Sequence, residues 1–165
     1  MLTRDPDNAD FEVAAGRVRS QGLEADVAGD VGEHVRLTAN AALTDTKVVR
    51  DNNAAQQGKR LSGVPRVSGG LFALWHDRLA NGSAYGVGGG IIHVGERPGT
   101  STDSYRLPAY TVMNLSSYWQ VDPSLRLGFN VDNLFDREYF TGSLATFSLQ
   151  PGLGRVVSMS VQYRF

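Results

Sequence analysis

The sequence predicts an all-β chain, an antiparallel up-and-down meander of about seven strands that forms part of the wall of a transmembrane β-barrel. Three observations predict it. Apolar and polar residues alternate with a period of two in several segments, the signature of a strand with one dry face and one wet face. The connections between the segments are alternately short and long. The large aromatic residues gather beside the short connections and share the parity of the apolar positions.

Composition removes the competing classes. The chain has 165 residues, 41% hydrophobic and 20% charged, with a formal net charge of −1, which by length is one ordinary domain. With no cysteine there is no disulfide framework, no thiolate metal cluster and no thiol nucleophile. The near-neutral balance argues against nucleic acid as a partner, because such binding works through a basic patch. The longest apolar runs, such as Leu71 to Trp75, fall far short of the roughly 18 residues a membrane helix needs. Met1 to Asp10 has neither a basic leader nor an apolar core, so no export signal is expected in the chain as it stands.

The strands follow in order. Leu23, Ala25 and Val27 oppose Glu24 and Asp26 in the first. Val35, Leu37, Ala39, Ala41 and Leu43 alternate with Arg36, Thr38, Asn40 and Thr44 in the second. Residues 65–76 and 84–96 alternate less cleanly because glycine and alanine dilute them. Met113, Leu115, Ser117 and Trp119 alternate with Asn114, Ser116, Tyr118 and Gln120. Leu125, Leu127, Phe129 and Val131 oppose Arg126, Gly128, Asn130 and Asp132. The last strand sets Val157, Met159, Val161, Tyr163 and Phe165 against Ser158, Ser160, Gln162 and Arg164. Residues 1–17 are expected as an extended segment ahead of the wall, on its long-loop side, and residues 18–165 as the wall itself.

Residues 29–33, 77–83 and 121–124 are short connections rich in turn formers, including Asn81-Gly82 and Asp122-Pro123. Residues 47–63, 97–107 and 134–154 are long, polar or glycine-rich. A meander with every second connection short places all short turns at one end, the layout of an outer-membrane barrel. Trp75, Tyr85, Trp119, Tyr163 and Phe165 then lie near that end on the apolar face, where a girdle at the lipid headgroups is expected.

At this point the residues resemble a known family, the TonB-dependent outer-membrane receptors, and within it the ferric-siderophore receptors. Six ordered segments carry the likeness: Arg19-Ser20-Gln21-Gly22-Leu23-Glu24, Val64-Pro65-Arg66, Gly88-Gly89-Gly90 with Gly95-Glu96-Arg97, Leu107-Pro108-Ala109-Tyr110-Thr111, Asn133-Leu134-Phe135-Asp136-Arg137-Glu138-Tyr139, and Pro151-Gly152-Leu153-Gly154-Arg155 before the terminal strand. Asn114 stands where the family usually has Asp, and Gly154 where Pro is common. The resemblance implies a parent with a signal peptide, a TonB-contacting box, a plug and a barrel of about 22 strands, of which this chain is the C-terminal part. It implies residence in the cell outer membrane and energised import of a ferric siderophore. The implied partners are outer-membrane lipid, the plug and the rest of the barrel, TonB, and the barrel-assembly machinery that reads the terminal Phe165. Seven strands leave two open edges, whose unpaired backbone groups would cost several kcal/mol each in hydrocarbon, so the chain alone is expected not to insert or act.

The remaining motifs favour structural roles. Gly86 to Gly90 lacks the Lys-Ser/Thr end of a phosphate loop and sits in a strand, where glycine makes room for a neighbour. His34, His76 and His93 have no ligand spacing, so no metal site and no cofactor is expected. No triad or carboxylate pair stands out, so the chain is not expected to be an enzyme. Glu24, Asp26, Arg36, Asn40, Arg66, Asn114, Arg126, Asn130, Asp132 and Arg164 share the polar parity and are expected to face a hydrated lumen. Tyr105, Tyr110, Tyr139, Phe140 and Phe147, on or beside the long loops, are the candidates for siderophore contact that the resemblance implies. Asn133 to Asp136 is expected to satisfy its own backbone as a turn while Leu134 and Phe135 pack. Two rivals remain: a complete small barrel, which requires an eighth strand within residues 1–17, and a soluble β-sandwich enzyme or binding module.

Overall fold

A computed structural model describes residues 3–5, 7, 8, 10–13, 16–145 and 148–165. In chain order its strands are β1 (Thr3–Arg4), β2 (Glu12–Val13), β3 (Arg17–Val31), β4 (Val35–Arg50), β5 (Val67–Arg78), β6 (Ala84–Val94), β7 (Arg97–Pro98), β8 (Arg106–Leu107), β9 (Tyr110–Gln120), β10 (Leu125–Asp132), β11 (Phe140–Ala145), β12 (Ser148–Pro151) and β13 (Val156–Tyr163). No helix occurs among the described residues.

Seven of these strands form one antiparallel sheet in the order β13-β10-β9-β6-β5-β4-β3, a meander in which each sheet strand lies beside the next. The six others pair as three small hairpins, β1–β2, β7–β8 and β11–β12. Among the described residues ahead of β3 the only strands are the two-residue β1 and β2, which bond to each other and not to the sheet. They supply no eighth strand, which removes the complete small barrel.

One register row crosses the whole sheet: Val31, Val35, Trp75, Val87, Ser117, Phe129 and Met159. Every member is odd-numbered. Because side chains alternate along each strand, all odd residues of the seven strands share one face, apart from the bulge beside Arg17. That face is apolar and bare: Leu23 is 74% exposed, Val161 70% and Met159 81%. Buried hydrophobics among the described residues are Val48, Leu107, Val112 and Val131, too few for a core of their own. The accessible surface is 11125 Å², against about 8000 Å² for a compact chain of this mass. No second sheet covers the first among the described residues, which removes the β-sandwich.

Two strands are longer than the alternation predicts, β3 over Arg17–Val31 and β4 over Val35–Arg50. β4 runs on to Arg50, and the following loop folds back to bind it. The Val48 amide donates to the Lys59 carbonyl, the Gly58 amide returns to the Val48 carbonyl, both at 2.8 Å, and the Leu61 amide donates to Thr46 Oγ1. Two of the three long connections, expected as plain loops, carry the hairpins β7–β8 and β11–β12.

Candidate functional site

The glycines of β6 show how the even-numbered face is built. Gly86 stands opposite Tyr118, Gly88 opposite Leu74 and Gly90 opposite Phe72 on the neighbouring strands. A Cβ on Gly86 would lie 2.5 Å from the Tyr118 ring, and one on Gly88 would lie 2.7 Å from the Ala73 carbonyl oxygen and 2.9 Å from the Phe72 ring. The stripe therefore exists to seat large side chains flat against the wall.

Of the residues expected on the polar face, Glu24, Asp26, Arg36, Asn40, Asn114, Arg126, Asn130 and Asp132 are even-numbered positions of the sheet and share that one face. Arg66 and Arg164 flank it, Arg66 accepting the Thr44 amide and Arg164 donating to Ser124 through backbone groups. Several spend their polar groups on the wall. Arg36 donates to Asp30 at 2.8 Å, Asn130 Oδ1 accepts from Ser116 at 2.8 Å, and Arg126 lies 4.0 Å above the Tyr118 ring.

On the apolar, odd-numbered face Trp75 and Tyr85 meet edge to face at 5.4 Å, Tyr85 stands opposite Trp119, and Tyr163 meets Phe165 at 5.3 Å. The series climbs across the sheet. Trp75 is level with Val87, two residues short of Tyr85; Trp119 is level with Leu127, two residues short of Leu125, the partner of Tyr163. Four residues of climb over four strand spacings is roughly 13 Å in 19 Å, a slope of about 35°. That is the tilt at which a straight belt crosses the strands of a membrane barrel.

The three long connections meet at the other end of the wall. The Gly63 amide donates to the Pro98 carbonyl at 2.8 Å, Tyr105 and Ser143 share a hydroxyl hydrogen bond, and Arg97 Nη2 donates to the Phe140 carbonyl at 2.5 Å. Arg97 is 2% exposed, with its guanidinium 5.4 Å from the Tyr110 ring, and Tyr110 stacks on Tyr139 at 4.4 Å. Four sequence candidates, Tyr105, Tyr110, Tyr139 and Phe140, thus join one assembly around Arg97. Phe147 lies outside the described residues.

The sequence reading missed Arg97 itself. Its one clue was an arginine just ahead of a loop of small residues, Gly99 to Thr102. Among the described residues three buried side-chain atoms lack a hydrogen bond, Arg60 Nε, Arg97 Nη1 and Asp103 Oδ1, and all belong to these connections. Burial, with Arg66 and Arg106 nearby, pushes the Arg60 guanidinium below its ordinary pKa. Buried atoms left without partners are where a ligand or an ordered water completes the bonding.

Asn133 and Asp136 both take positive φ, 50° and 52°, and build the turn that leaves β10. Asn133 Nδ2 donates to the Arg137 and Leu153 carbonyls at 2.9 and 3.0 Å, and Asp136 Oδ1 accepts the Arg155 amide at 2.7 Å. The turn is structural, as expected, but Phe135 does not pack. It is 70% exposed, between the left-handed Asn133 and Asp136, while Leu134 beside it is half-buried.

Residues 1–134 match the family described as TonB dependent receptor-like, β-barrel. The chain belongs to this family. The TonB-dependent receptor chain is 37% identical over 166 residues to the metal-pseudopaline receptor of Pseudomonas aeruginosa, covering 100% of itself and 23% of that relative. Its fold matches the ferric yersiniabactin uptake receptor of Yersinia pestis with a TM-score of 0.82 at 22% identity, over 94% of this chain and 25% of that one. It matches the siderophore receptor PiuA of Acinetobacter baumannii with a TM-score of 0.81 at 18% identity, over 98% and 24%. At those identities the likeness to the solved structures is one of fold. The chain spans about a quarter of the length of the relatives it matches.

Proposed function

We propose that this chain is the C-terminal part of the barrel of an outer-membrane receptor that imports a metal held by a small chelator, of ferric-siderophore type. The observation that carries the reading is the single parity of the seven-stranded sheet: one bare apolar face and one polar face, on a chain of the TonB-dependent receptor family. In this reading the odd face meets lipid, with Trp75, Tyr85, Trp119, Tyr163 and Phe165 at the headgroups beside the short turns. The even face lines the hydrated interior, where Glu24, Asp26 and Asn40 are open to the plug or to a passing solute. The rest of the barrel completes the open edges of β3 and β13, the barrel-assembly machinery reads the terminal strand, and TonB supplies the energy through the plug.

The cargo meets the assembly around Arg97. Aromatic rings and a guanidinium suit a flat, anionic chelate, the rings by stacking and the cation by charge. Tyr105, Tyr110, Tyr139 and Phe140 supply the rings, and the unpartnered Arg97 Nη1 supplies a donor when the loops part.

The test is uptake of labelled metal chelates by cells that express the whole receptor and no other receptor of this kind, with and without TonB. The relative at 37% identity is a receptor for a metal-pseudopaline complex, so chelates of other metals belong in the panel beside ferric ones. TonB-dependent accumulation of at least one chelate is expected, with its affinity lowered about tenfold by Tyr110→Ala. No uptake from a broad panel overturns the reading, and unchanged affinity in the variant removes Tyr110 from the site.

A further inference from the structure

The outer face changes character at the long-loop end of β3 and β4. Below, Leu23 and Leu43 face each other, 74% and 52% exposed. One step above, Gln21 faces Asp45, and a further step above, Arg19 faces Lys47 directly across the ladder. Arg17, two residues further along β3, is exposed as well, and across the bulge beside it stands Arg50. Like charges set directly opposite on neighbouring strands repel and weaken the pairing. Among the described residues only Asp45 offsets them, at 3.8 Å from Arg19, and its carboxylate and the Arg19 guanidinium are 48% and 54% exposed. Among the described residues no hydrogen bond or ion pair joins the side chain of Arg17 or Lys47 to an acceptor. Three cations against one carboxylate thus crown an apolar wall.

A groove of about 590 Å³ opens directly beneath them, lined among others by Gln21, Leu23, Leu43, Asp45 and Val67. Its floor is apolar and its upper lip is the polar pair just below Arg19 and Lys47. A single molecule matches both halves: an anion for the cations, with a hydrocarbon chain attached for the groove.

We propose that Arg17, Arg19 and Lys47 form a binding site for a phosphorylated membrane lipid, its phosphate held between the opposed cations and one acyl chain lying over Leu23, Leu43 and Val67. The occupant is a lipid headgroup phosphate and not free phosphate, because the groove adds nothing to the binding of an ion. The site rests on the reading that the odd face meets lipid. It adds a fixed lipid at the rim of the wall, distinct from the cargo assembly around Arg97.

The experiment is native mass spectrometry of the whole receptor in detergent with bisphosphorylated lipid A, its dephosphorylated analogue, or inorganic phosphate. Retention of lipid A is expected, with little retention of the analogue and none of phosphate. The triple variant Arg17→Gln/Arg19→Gln/Lys47→Gln is expected to lose at least about tenfold of that retention, and Arg19→Lys to keep most of it. Equal retention of the dephosphorylated lipid, equal retention by a folded triple variant, or binding of phosphate alone overturns the proposal. Should the triple variant fail to fold, salt decides on the native protein: retention that falls as ionic strength rises supports the site, and salt-insensitive retention overturns it. Chelate uptake is read in parallel, since a receptor that imports a chelate but ignores the lipid's phosphate defeats this site alone, and one that retains lipid A but imports nothing defeats the transport reading alone.

Discussion

Asn133 grips both backbone polar groups of Arg137: Asn133 Oδ1 accepts the Arg137 amide at 2.9 Å while Nδ2 donates to the Arg137 carbonyl at 2.9 Å. The same Nδ2 reaches the Leu153 carbonyl, and the Asn133 amide donates to Asn114 Oδ1 at 2.9 Å, so one buried side chain and its backbone tie together β9, the end of β10 and the approach to β13. Asn tolerates the left-handed conformation that this junction needs. Replacing it with Ala forfeits the bonds and strains the backbone, an expected loss of about 2–4 kcal/mol. Asn133→Gly removes the strain but not the lost bonds, so its loss is smaller. Denaturant unfolding of the folded receptor checks the order, and an Ala variant as stable as wild type contradicts the role.

Two adjacent glycines of β6 are expected to behave differently. A Cβ on Gly88 runs into the Ala73 carbonyl and the Phe72 ring, whereas one on Gly89 meets nothing nearer than 3.5 Å. Gly88→Ala is expected to cost about 1–3 kcal/mol and Gly89→Ala to fall within about 0.5 kcal/mol of wild type. The comparison is made by the temperature at which the barrel loses its compact migration in a gel. Equal effects would mean that the stripe does not seat its neighbours.

Charge placed on the two faces of β13 has unequal consequences. Met159 is 81% exposed on the apolar face, and its neighbour Ser158 lies on the polar one. Met159→Arg is expected to destabilise the membrane-inserted receptor by about 2–4 kcal/mol and Ser158→Arg by far less. Refolding equilibria in lipid vesicles measure both, and the reverse order would invert the faces.

Arg97 couples two long connections through the Phe140 carbonyl and the Tyr110 ring. Arg97→Ala is expected to speed hydrogen exchange at the Gly99 and Gly152 amides, which donate to the Tyr105 and Tyr139 carbonyls at 2.9 and 2.8 Å. The β5–β6 ladder serves as the unchanged reference. Exchange confined to residues 95–109 would show that the connections move separately.

The strands were legible because a period of two survives wherever one face is dry, and every sheet strand kept its parity from Leu23 to Tyr163. The glycine stripe was legible as room for bulk, though not which bulk, since Phe72, Leu74 and Tyr118 come from neighbouring strands. The end of β4 was not legible: Val48 and Val49 are consecutive apolar residues that break the alternation, and the cover over Val48 comes from its own loop. Nor were the hairpins in the long connections, where β7 and β8 have two residues each and show no period. Arg97 escaped because its partners, Tyr110 and Phe140, are brought to it only by the meeting of separate loops.

Cysteine scanning along β13 tests the account most directly, since the chain has no cysteine of its own. Each of residues 156–163 is replaced in turn in the whole receptor, in intact outer membranes, and probed with a charged, water-soluble thiol reagent. The account predicts labelling at Ser158, Ser160 and Gln162 and protection at Val157, Met159 and Val161. Uniform labelling, or the opposite alternation, would contradict a wall with lipid on its odd face and water on its even one.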